Sequence, residues 1–520
     1  MQHQRWLDLL IMAAYLVAMV SVGIRFARRQ TGTESYFVAK RSIPSWAMGF
    51  SIVATLITSV TFVAYPGSSY AGNWSLLVPG SMVVIALVLV GSVVIPFYRH
   101  AVGMSAYEYF GKRFGRPTRT YSSVAFSLAH FSKMGFIFYL LALTVNSMTG
   151  WNTDLLILVV GAVTVFYTVV GGLEAVIWTD VIQGFVIWIG VLVALGYLLF
   201  LPPGGPHAVF AMAWEQHKFS LGTLGGDLSK QQNIYVLVLY GFFWYLQKYT
   251  ADQTVVQRYL VAKTDRSAIR GVALGAMLCV PVWTLFMLIG TCTWAFYRLT
   301  GETLPAYVSK ADQVFPYFLS VHLPNGMAGL FMASLMGAAM SGLASDLNAL
   351  AVVGVEDIYR SLRPQATDGM RLRGGKWIVA VAGVVCILVG ISLAHAPGGA
   401  LLKWFSLSAI FSGGLAGLFL LAFFSSRTNR QGVYIGILAT VLFTAWATAT
   451  SGEKKFLDLP FNYPWHDLTI GAVGHVVLVI FGYLGSLFFP PEQRALSEMT
   501  FWTWLRTRKA RSLEASQVTH

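Results

Sequence analysis

The sequence predicts an all-α polytopic membrane protein. Of its 520 residues, 56% are hydrophobic and only 11% are charged, whereas charged residues make up about a quarter of an ordinary soluble chain. The apolar residues form unbroken runs long enough to cross about 30 Å of hydrocarbon, which excludes a disordered chain and a barrel of short alternating strands. Basic residues cluster in the links between alternate runs, so the net charge of +14 reflects topology and we expect no nucleic-acid partner.

Thirteen apolar runs are predicted to cross the membrane. The first is expected to be a true span, because the residues before it carry only Arg5 and no cleavage site precedes the basic stretch that follows. The runs lie at 8–27, 45–70, 78–98, 121–147, 154–171, 176–200, 233–257, 270–297, 316–355, 377–395, 400–425, 432–450 and 467–489.

Lysines and arginines give the orientation of these spans. The links after runs one, three, seven, nine and eleven, together with the C-terminal tail, hold 26 of the 36 basic residues. If every run crosses, all of these links fall on one side, and the positive-inside rule makes that side cytoplasmic. We therefore expect a multi-pass protein of the inner cell membrane whose N-terminus is outside and whose C-terminus is cytoplasmic.

The chain is not expected to be an enzyme, because it contains no nucleotide-binding, zinc-protease or hydrolase motif. Cys279, Cys292 and Cys386 have no metal-ligand spacing and are expected to pack in the core. Function is instead sought in polar residues inside the runs. A charged residue at a helix centre costs at least about 2.5–3.5 kcal/mol unless it lines a cavity or has a partner.

The second run combines the hydroxyl residues between Ser51 and Thr61 with the helix-breaking pair Pro66-Gly67. A break there would free backbone carbonyls that can coordinate a hard cation. The alternative is a proline-kinked helix whose serines and threonines bond back to their own backbone.

Two ionisable residues lie within other runs. Lys133 is about twelve residues into its run, too deep for easy snorkelling, which favours a buried cation facing an anionic partner. Asp180 follows Gly171-Gly172 and either caps a helix near the inner face or belongs to a binding site.

The ninth run contains Ser341, Ser345 and Asp346 among small residues. The two serines are four residues apart, so both hydroxyls lie on one helix face. Paired with Asp180, they would make an oxygen-rich site for a small hard cation.

These residues resemble the sodium/solute symporter family, and in motif pattern its bacterial sialic acid carriers. The resemblance covers about residues 6–490. The motifs that carry it are Trp46-Ala-x-Gly49-x-Ser51, Gly171 to Gln183, Val256-Gln-Arg-Tyr-Leu260, Ala338 to Asn348 followed by Asp357-Ile-Tyr359, and Gly413-Gly-Leu-x-Gly-Leu-Phe419.

The resemblance implies a leucine-transporter-type fold, in which two inverted repeats of five helices form a core. The whole chain, 1–520, would then be a single membrane domain. It would consist of an extra N-terminal helix at 6–30, the ten-helix core at 45–425, two additional helices at 432–490 and a cytoplasmic tail at 491–520.

The resemblance also implies one sodium site, formed by the carbonyls of Ala54, Ile57 and Ala338 and the hydroxyl of Ser341. Gly342 stands where the family usually has a second serine, which removes one hydroxyl ligand. The sialic acid carriers have a second sodium site.

That second site matches Asp180, Ser341 and Ser345 here, with Ala344 in place of one of its serines. Coupling to one sodium ion, or to two, therefore stays open. Asp346 is an extra carboxylate, for which we prefer an ion pair with a lysine or arginine over a role as a ligand at one remove.

For the substrate, the resemblance favours a small organic anion. The three sugar-binding positions of the sugar carriers fall on Thr61, Gly80 and Met277, none of which keeps the family residue. The sialic acid carriers hold the substrate carboxylate with an arginine before Met-Gly, and Lys133-Met134-Gly135 matches it with a lysine, a less directional partner. The substrate-binding candidates are Thr58, Thr61, Lys133, Gly80, Ser81, Asp252 and Phe405.

The sequence thus predicts a monomeric, lipid-embedded symporter that imports a carboxylate, such as sialic acid or another acidic sugar, by alternating access with sodium. A neutral-sugar or amino-acid symporter is the alternative. A proton-coupled variant using Asp180 or Asp346 and a sensor or passive channel are the other hypotheses.

Overall fold

The computed structural model describes residues 6–230, 233–306, 308, 310–395, 413–452, 455–491 and 499–507, and this part of the chain is built from helices. The first half contains α1 Trp6–Ala27, α2 Thr33–Val38, α3 Ser45–Leu56, α4 Ser59–Ala71, α5 Leu77–Ala101, α6 Tyr107–Phe114, α7 Arg116–Thr149, α8 Thr153–Phe200, α9 Gly205–Glu215 and α10 Ile234–Ala251. The second half contains α11 Gln253–Val261, α12 Asp265–Thr300, α13 Ala311–His322, α14 Met327–Val352, a π-helical segment Val353–Tyr359, α15 Arg360–Leu362, α16 Asp368–His395, α17 Leu415–Phe424, α18 Arg430–Thr450 and α19 Thr469–Leu487.

Nine helices in the described ranges are long and apolar enough to cross a membrane, and the bent pair α3 and α4 would make a tenth. One of the nine, α8, contains two of the predicted runs, 154–171 and 176–200. Its 48 residues would reach about 72 Å as one straight helix, more than twice the hydrocarbon thickness. Half of the run 400–425 lies outside the described residues, so the count of thirteen stays a prediction.

Gly172 interrupts α8 between these two runs. Its φ of 60° and ψ of −162° are not helical, and only glycine adopts such angles readily. The ring and backbone of Tyr36 lie so close that a Cβ at residue 172 would be 2.7 Å from the ring and 2.9 Å from the carbonyl oxygen. The Gly171-Gly172 pair thus ends one span and begins the next.

Two further helices are broken inside the apolar core. Between α3 and α4, Ile57 and Thr58 adopt extended backbone angles, and the helix axis turns by 61°. Between α10 and α11, Asp252 is extended, and its side chain caps α11 by accepting a bond from the Thr254 backbone N–H. Of the two alternatives for Pro66-Gly67, a break at that pair is wrong, since both residues lie within α4.

The helix α14 is the centre of the structure. Every residue from Phe331 to Val352 is buried, and the helix packs against α1, α3, α7, α8 and α16. Its small residues permit this close packing. For example, a Cβ at Gly329 would be 2.5 Å from the Cα of Asp8 on α1. The polar residues of α14 therefore face neighbouring helices and not lipid.

Candidate functional site

The two broken helices open onto one cavity of about 640 Å³. Residues from the α3–α4 break, α5, α7, the α10–α11 break and α12 line it. A helix end leaves backbone N–H and C=O groups without intrahelical partners, so both breaks bring polar backbone to the cavity. A cavity of this size, between helices of a bundle, suits a small-molecule ligand.

Aromatic side chains form one wall of the cavity. Tyr65 stacks on Trp283 with ring centroids 6.4 Å apart, and Tyr245 lies against the same indole at 6.0 Å. Trp244 also lines the cavity. Such a wall offers apolar surface to the carbon face of a ring-shaped ligand.

A connected network of charged groups also lies at the cavity. Lys133 Nζ lies 3.0 Å from Asp346 Oδ2, and His130 Nδ1 lies 2.8 Å from Asp346 Oδ1. The other imidazole nitrogen of His130 lies 3.2 Å from Asp252 Oδ2, which also accepts a bond from Lys248 Nζ at 2.5 Å. The expectation that Lys133 has an anionic partner is therefore confirmed, and Asp346 forms the preferred ion pair, but Lys133 itself is only partly buried.

The lysines of this charged network are more exposed than the carboxylates with which they pair. The Lys133 side chain is 31% exposed, while the Asp346 side chain that neutralises it is completely buried. Lys133, Lys248, His130 and Asp252 line the cavity, and Asp346 lies behind them. A ligand therefore meets ammonium groups first, which favours an anion.

Asp180 is the centre of a second, fully buried cluster. Its Oδ1 accepts a bond from Ser341 at 2.6 Å, and its Oδ2 accepts one from Ser51 at 2.5 Å. Arg258, also fully buried, reaches Asp180 Oδ2 at 3.4 Å and donates to Ser345 Oγ at 2.6 Å. The cluster joins α3, α8, α11 and α14, so Asp180 is no helix cap near a membrane face.

The predicted first sodium site lies next to this cluster. Ala54 and Ile57 are buried at the C-terminal end of α3, where the last carbonyls have no helical partner. The adjoining Thr58 methyl is close enough to α14 that a Cβ at Gly342 would lie 3.1 Å from it. Because Ser341 donates its hydrogen to Asp180, its oxygen lone pairs are available to a cation.

The chemistry of these residues suits sodium better than a transition metal. The candidate ligands are carbonyl, hydroxyl and carboxylate oxygens, the donors that hard cations prefer. In the described part of the chain, no group of three or more histidine, cysteine or acidic residues could hold a metal ion. The three cysteines are buried and free, in keeping with a packing role.

The structure places most of the predicted substrate residues together. Thr58, Thr61, Gly80, Lys133 and Asp252 line the cavity. Ser81 is not among the lining residues, and its hydroxyl donates to the Leu77 carbonyl in its own helix. Phe405 lies outside the described residues. Met277 is 67% exposed on α12, so this position does not reach the cavity.

Three functional candidates were missed by sequence reasoning. Arg258 was counted among the basic residues of an inner link, although it is buried beside Asp180. His130 and Lys248 were not predicted either, although His130 links Asp252 to Asp346 and Lys248 forms an ion pair with Asp252. The signal for Lys248 was its place four residues before Asp252 inside an apolar run, a spacing that brings the two charges together.

Comparisons with known proteins agree with this geometry. The model of the sodium:solute symporter family matches residues 36–440. The chain is 31% identical to the sodium/sialic acid symporter NanT of Aliivibrio fischeri, over 93% of each chain.

Two solved structures are also similar. The substrate-bound outward-open structure of a Na⁺-coupled sialic acid symporter, which reveals a novel Na⁺ site, superposes with a TM-score of 0.87 at 29% identity, covering 94% of this chain and 99% of that one. The nucleobase-cation-symport-1 transporter Mhp1 gives a TM-score of 0.58 at 17% identity, covering 87% and 93%. The predicted leucine-transporter-type fold is thus confirmed.

Proposed function

The chain belongs to the sodium:solute symporter family, and we propose that it imports sialic acid or another carboxylate-bearing sugar together with sodium. It is a sodium-coupled membrane transporter and not an enzyme. The substrate class rests on one observation, the Lys133 ammonium group that is open to the cavity while its carboxylate partner is buried behind it. The relatives named for sialic acid support the same class.

Lys133 is proposed to hold the substrate carboxylate, and Thr58 and Thr61 to bond with its polar groups. A carboxylate that approaches Lys133 finds an ammonium group with three donors, of which the bond to Asp346 uses one. The aromatic wall formed by Tyr65 and Trp283 would pack against the sugar ring. Because a lysine is a point charge, the orientation of the carboxylate depends on these neighbours.

Sodium is proposed to bind where the α3 break meets α14. Carbonyls of Ala54, Ile57 and Ala338 and the Ser341 hydroxyl would coordinate it. Its binding would fix the α3–α4 break, and with it Thr58 and Thr61, in the arrangement that receives substrate. A second sodium site at Asp180 and Ser345 is a separate proposal, because Arg258 already donates a hydrogen bond to Ser345 there.

We also propose that the protein works as a monomer in the inner membrane, with its N-terminus outside and its C-terminus in the cytoplasm. The division into an N-terminal helix, a ten-helix core and two C-terminal helices belongs to the same proposal. The basic links of the sequence support this orientation.

The test is uptake into proteoliposomes of labelled sialic acid, a neutral hexose and a small monocarboxylate. Each compound is offered with an inward sodium gradient, an inward proton gradient, or neither. The native protein is compared with Lys133→Met and with Lys263→Met, which removes an exposed lysine outside the cavity.

We expect sodium-driven uptake of an acid that is lost in Lys133→Met and retained in Lys263→Met. Sodium-driven hexose uptake that does not depend on Lys133 would overturn the substrate class and leave the family assignment standing. Uptake driven only by the proton gradient would overturn the sodium mechanism.

A further inference from the structure

The imidazole of His130 lies between two carboxylates. Its Nδ1 is 2.8 Å from Asp346 Oδ1 on α14, and its Nε2 is 3.2 Å from Asp252 Oδ2 at the α10–α11 break. The side chain is only 6% exposed, and its own helix packs the Phe126 ring against it at a centroid distance of 4.0 Å. Both ring nitrogens therefore face an acidic oxygen at hydrogen-bond distance.

A neutral imidazole cannot satisfy this arrangement. It has one N–H donor, and its other nitrogen is an acceptor that would face a carboxylate lone pair. Two bonds to two carboxylates require an N–H on both nitrogens, or a proton on one of the carboxylates.

The bonds that the two carboxylates already accept argue against the second possibility. Asp252 Oδ2 accepts from Lys248, and Asp252 Oδ1 accepts from the backbone N–H and the hydroxyl of Thr254. Asp346 Oδ1, the atom that faces His130, also accepts from Lys133 at 3.1 Å. Each oxygen next to the imidazole thus acts as an ionised acceptor, which leaves the proton on the ring.

We propose that His130 is a proton-binding site of the substrate cavity, held as an imidazolium between Asp252 and Asp346. The inference rests on the proposed function, since it concerns the cavity that takes the acidic substrate. It assigns that cavity a second kind of ion, a proton, in addition to sodium.

The proton on His130 sets the net charge of the network at the cavity. The groups that face it are Asp346 from α14, Asp252 from the α10–α11 break, Lys133 from its own helix and Lys248 from α10. With a neutral ring, these four charges cancel. With an imidazolium, the network carries one net positive charge, which one monoanion neutralises.

Substrate binding and proton binding are therefore linked. An anion in the cavity favours the charged ring, and the charged ring favours the anion. Loss of the proton leaves one N–H for two carboxylates, so the ring can keep its bond to Asp346 or its bond to Asp252 but not both. The proton thus also holds together α7, α14 and the α10–α11 break beside the cavity.

The first measurement needs no substrate. In protein labelled with ¹⁵N at histidine, the native spectrum minus that of His130→Gln isolates the ring of residue 130. We expect the shifts of an imidazolium at neutral pH, because both ring nitrogens face carboxylate oxygens. His475→Gln, which removes another buried histidine on α19, is the matched control. A neutral ring at neutral pH would overturn the proposal.

The second measurement is calorimetry of sialic acid binding in sodium, in buffers of different ionisation enthalpy. We expect binding to take up protons in the pH range where the free ring is deprotonated, and affinity to fall with rising pH by at most about tenfold per unit. His130→Gln and His130→Asn should abolish the proton uptake that accompanies binding, and His475→Gln should retain it.

The two results separate the inference from the proposed function. Sodium-dependent binding without proton uptake at any pH would overturn the role of His130 and leave the symporter intact. If sialic acid does not bind at all, the substrate proposal fails, and the ¹⁵N spectrum still decides whether His130 holds the proton.

Discussion

Replacing Lys133 by methionine tests whether its charge is structural, functional or both. The substitution keeps an unbranched side chain of similar length and removes the ammonium group that lies 3.0 Å from Asp346 Oδ2. At an effective dielectric of about 20, two charges at this distance attract each other by about 5.5 kcal/mol before desolvation is counted. Removing one partner of a buried pair typically costs about 3–5 kcal/mol.

We expect Lys133→Met to fall near the lower end of that range, at about 3 kcal/mol, because Asp346 keeps its bond to His130 and Lys133 is partly exposed. The second variant, Lys133→Met with Asp346→Asn, removes the charge that was left without its lysine. It should recover most of the lost stability, which thermal unfolding of the purified protein in detergent reports.

Uptake should respond differently from stability. The double variant has no ammonium group at this position for the substrate carboxylate, so sodium-driven uptake of the acid should stay lost although the fold is restored. Recovery of both stability and uptake in the double variant would refute the reasoning, because Lys133 would then act only as a counter-ion. Native stability in Lys133→Met would show that the ion pair contributes nothing.

Three other substitutions probe the sodium site and the break in α8. Gly342→Ser supplies one more hydroxyl ligand at a small steric cost, so sodium binding should strengthen by about 1 kcal/mol. The sodium concentration for half-maximal uptake should then fall about fivefold. An unchanged sodium dependence would contradict the site. Asp180→Ala removes the acceptor of the Ser341 hydroxyl and the counter-ion of Arg258, so uptake measured against sodium concentration should fall strongly; unaltered uptake would show that the cluster is not needed. Gly172→Ala forces a side chain into a backbone conformation that glycine alone adopts readily, so thermal unfolding should reveal a loss of about 1–3 kcal/mol while sodium dependence stays native; native stability would mean that the chain relaxes there.

Local signals in the sequence were enough for the membrane fold and for several site residues. Lys133 lies too deep in an apolar run to reach water easily, so a buried partner followed from depth alone, and Asp346 is that partner. The four-residue spacing of Ser341 and Ser345 placed both hydroxyls on one face. Both do reach one cluster, which is centred on Asp180.

The sequence alone does not show which distant segments of the chain meet in the core. Arg258 follows an apolar run and has the appearance of a basic residue in a loop. The break at Asp252, however, turns α11 into the core and buries the guanidinium. Likewise, Pro66 is the obvious helix breaker of its run, yet the chain breaks at Ile57 and Thr58. Neither residue is a breaker by itself, so the break depends on tertiary packing.

The charges in the two sites determine which energy source can drive uptake. One sodium ion with a monoanion is electroneutral, so a membrane potential, worth about 2.3 kcal/mol per net charge at 100 mV, adds nothing to the roughly 1.4 kcal/mol of a tenfold sodium gradient. A further cation would recover that term. At Asp180, the guanidinium of Arg258 already bonds to Ser345 at 2.6 Å, and a second sodium ion would place two cations against one buried carboxylate.

His130 lies instead between two carboxylates in the substrate cavity, so at a pH where the free ring has lost its proton we expect the anion to bring a proton with it. Uptake of the acid at that pH should then increase with an inside-negative potential in the native protein and in His475→Gln, and lose this response in His130→Gln. A response to potential that survives in His130→Gln would assign the extra charge to a second sodium ion at Asp180. The Asp180 carboxylate would then contact both this ion and Arg258.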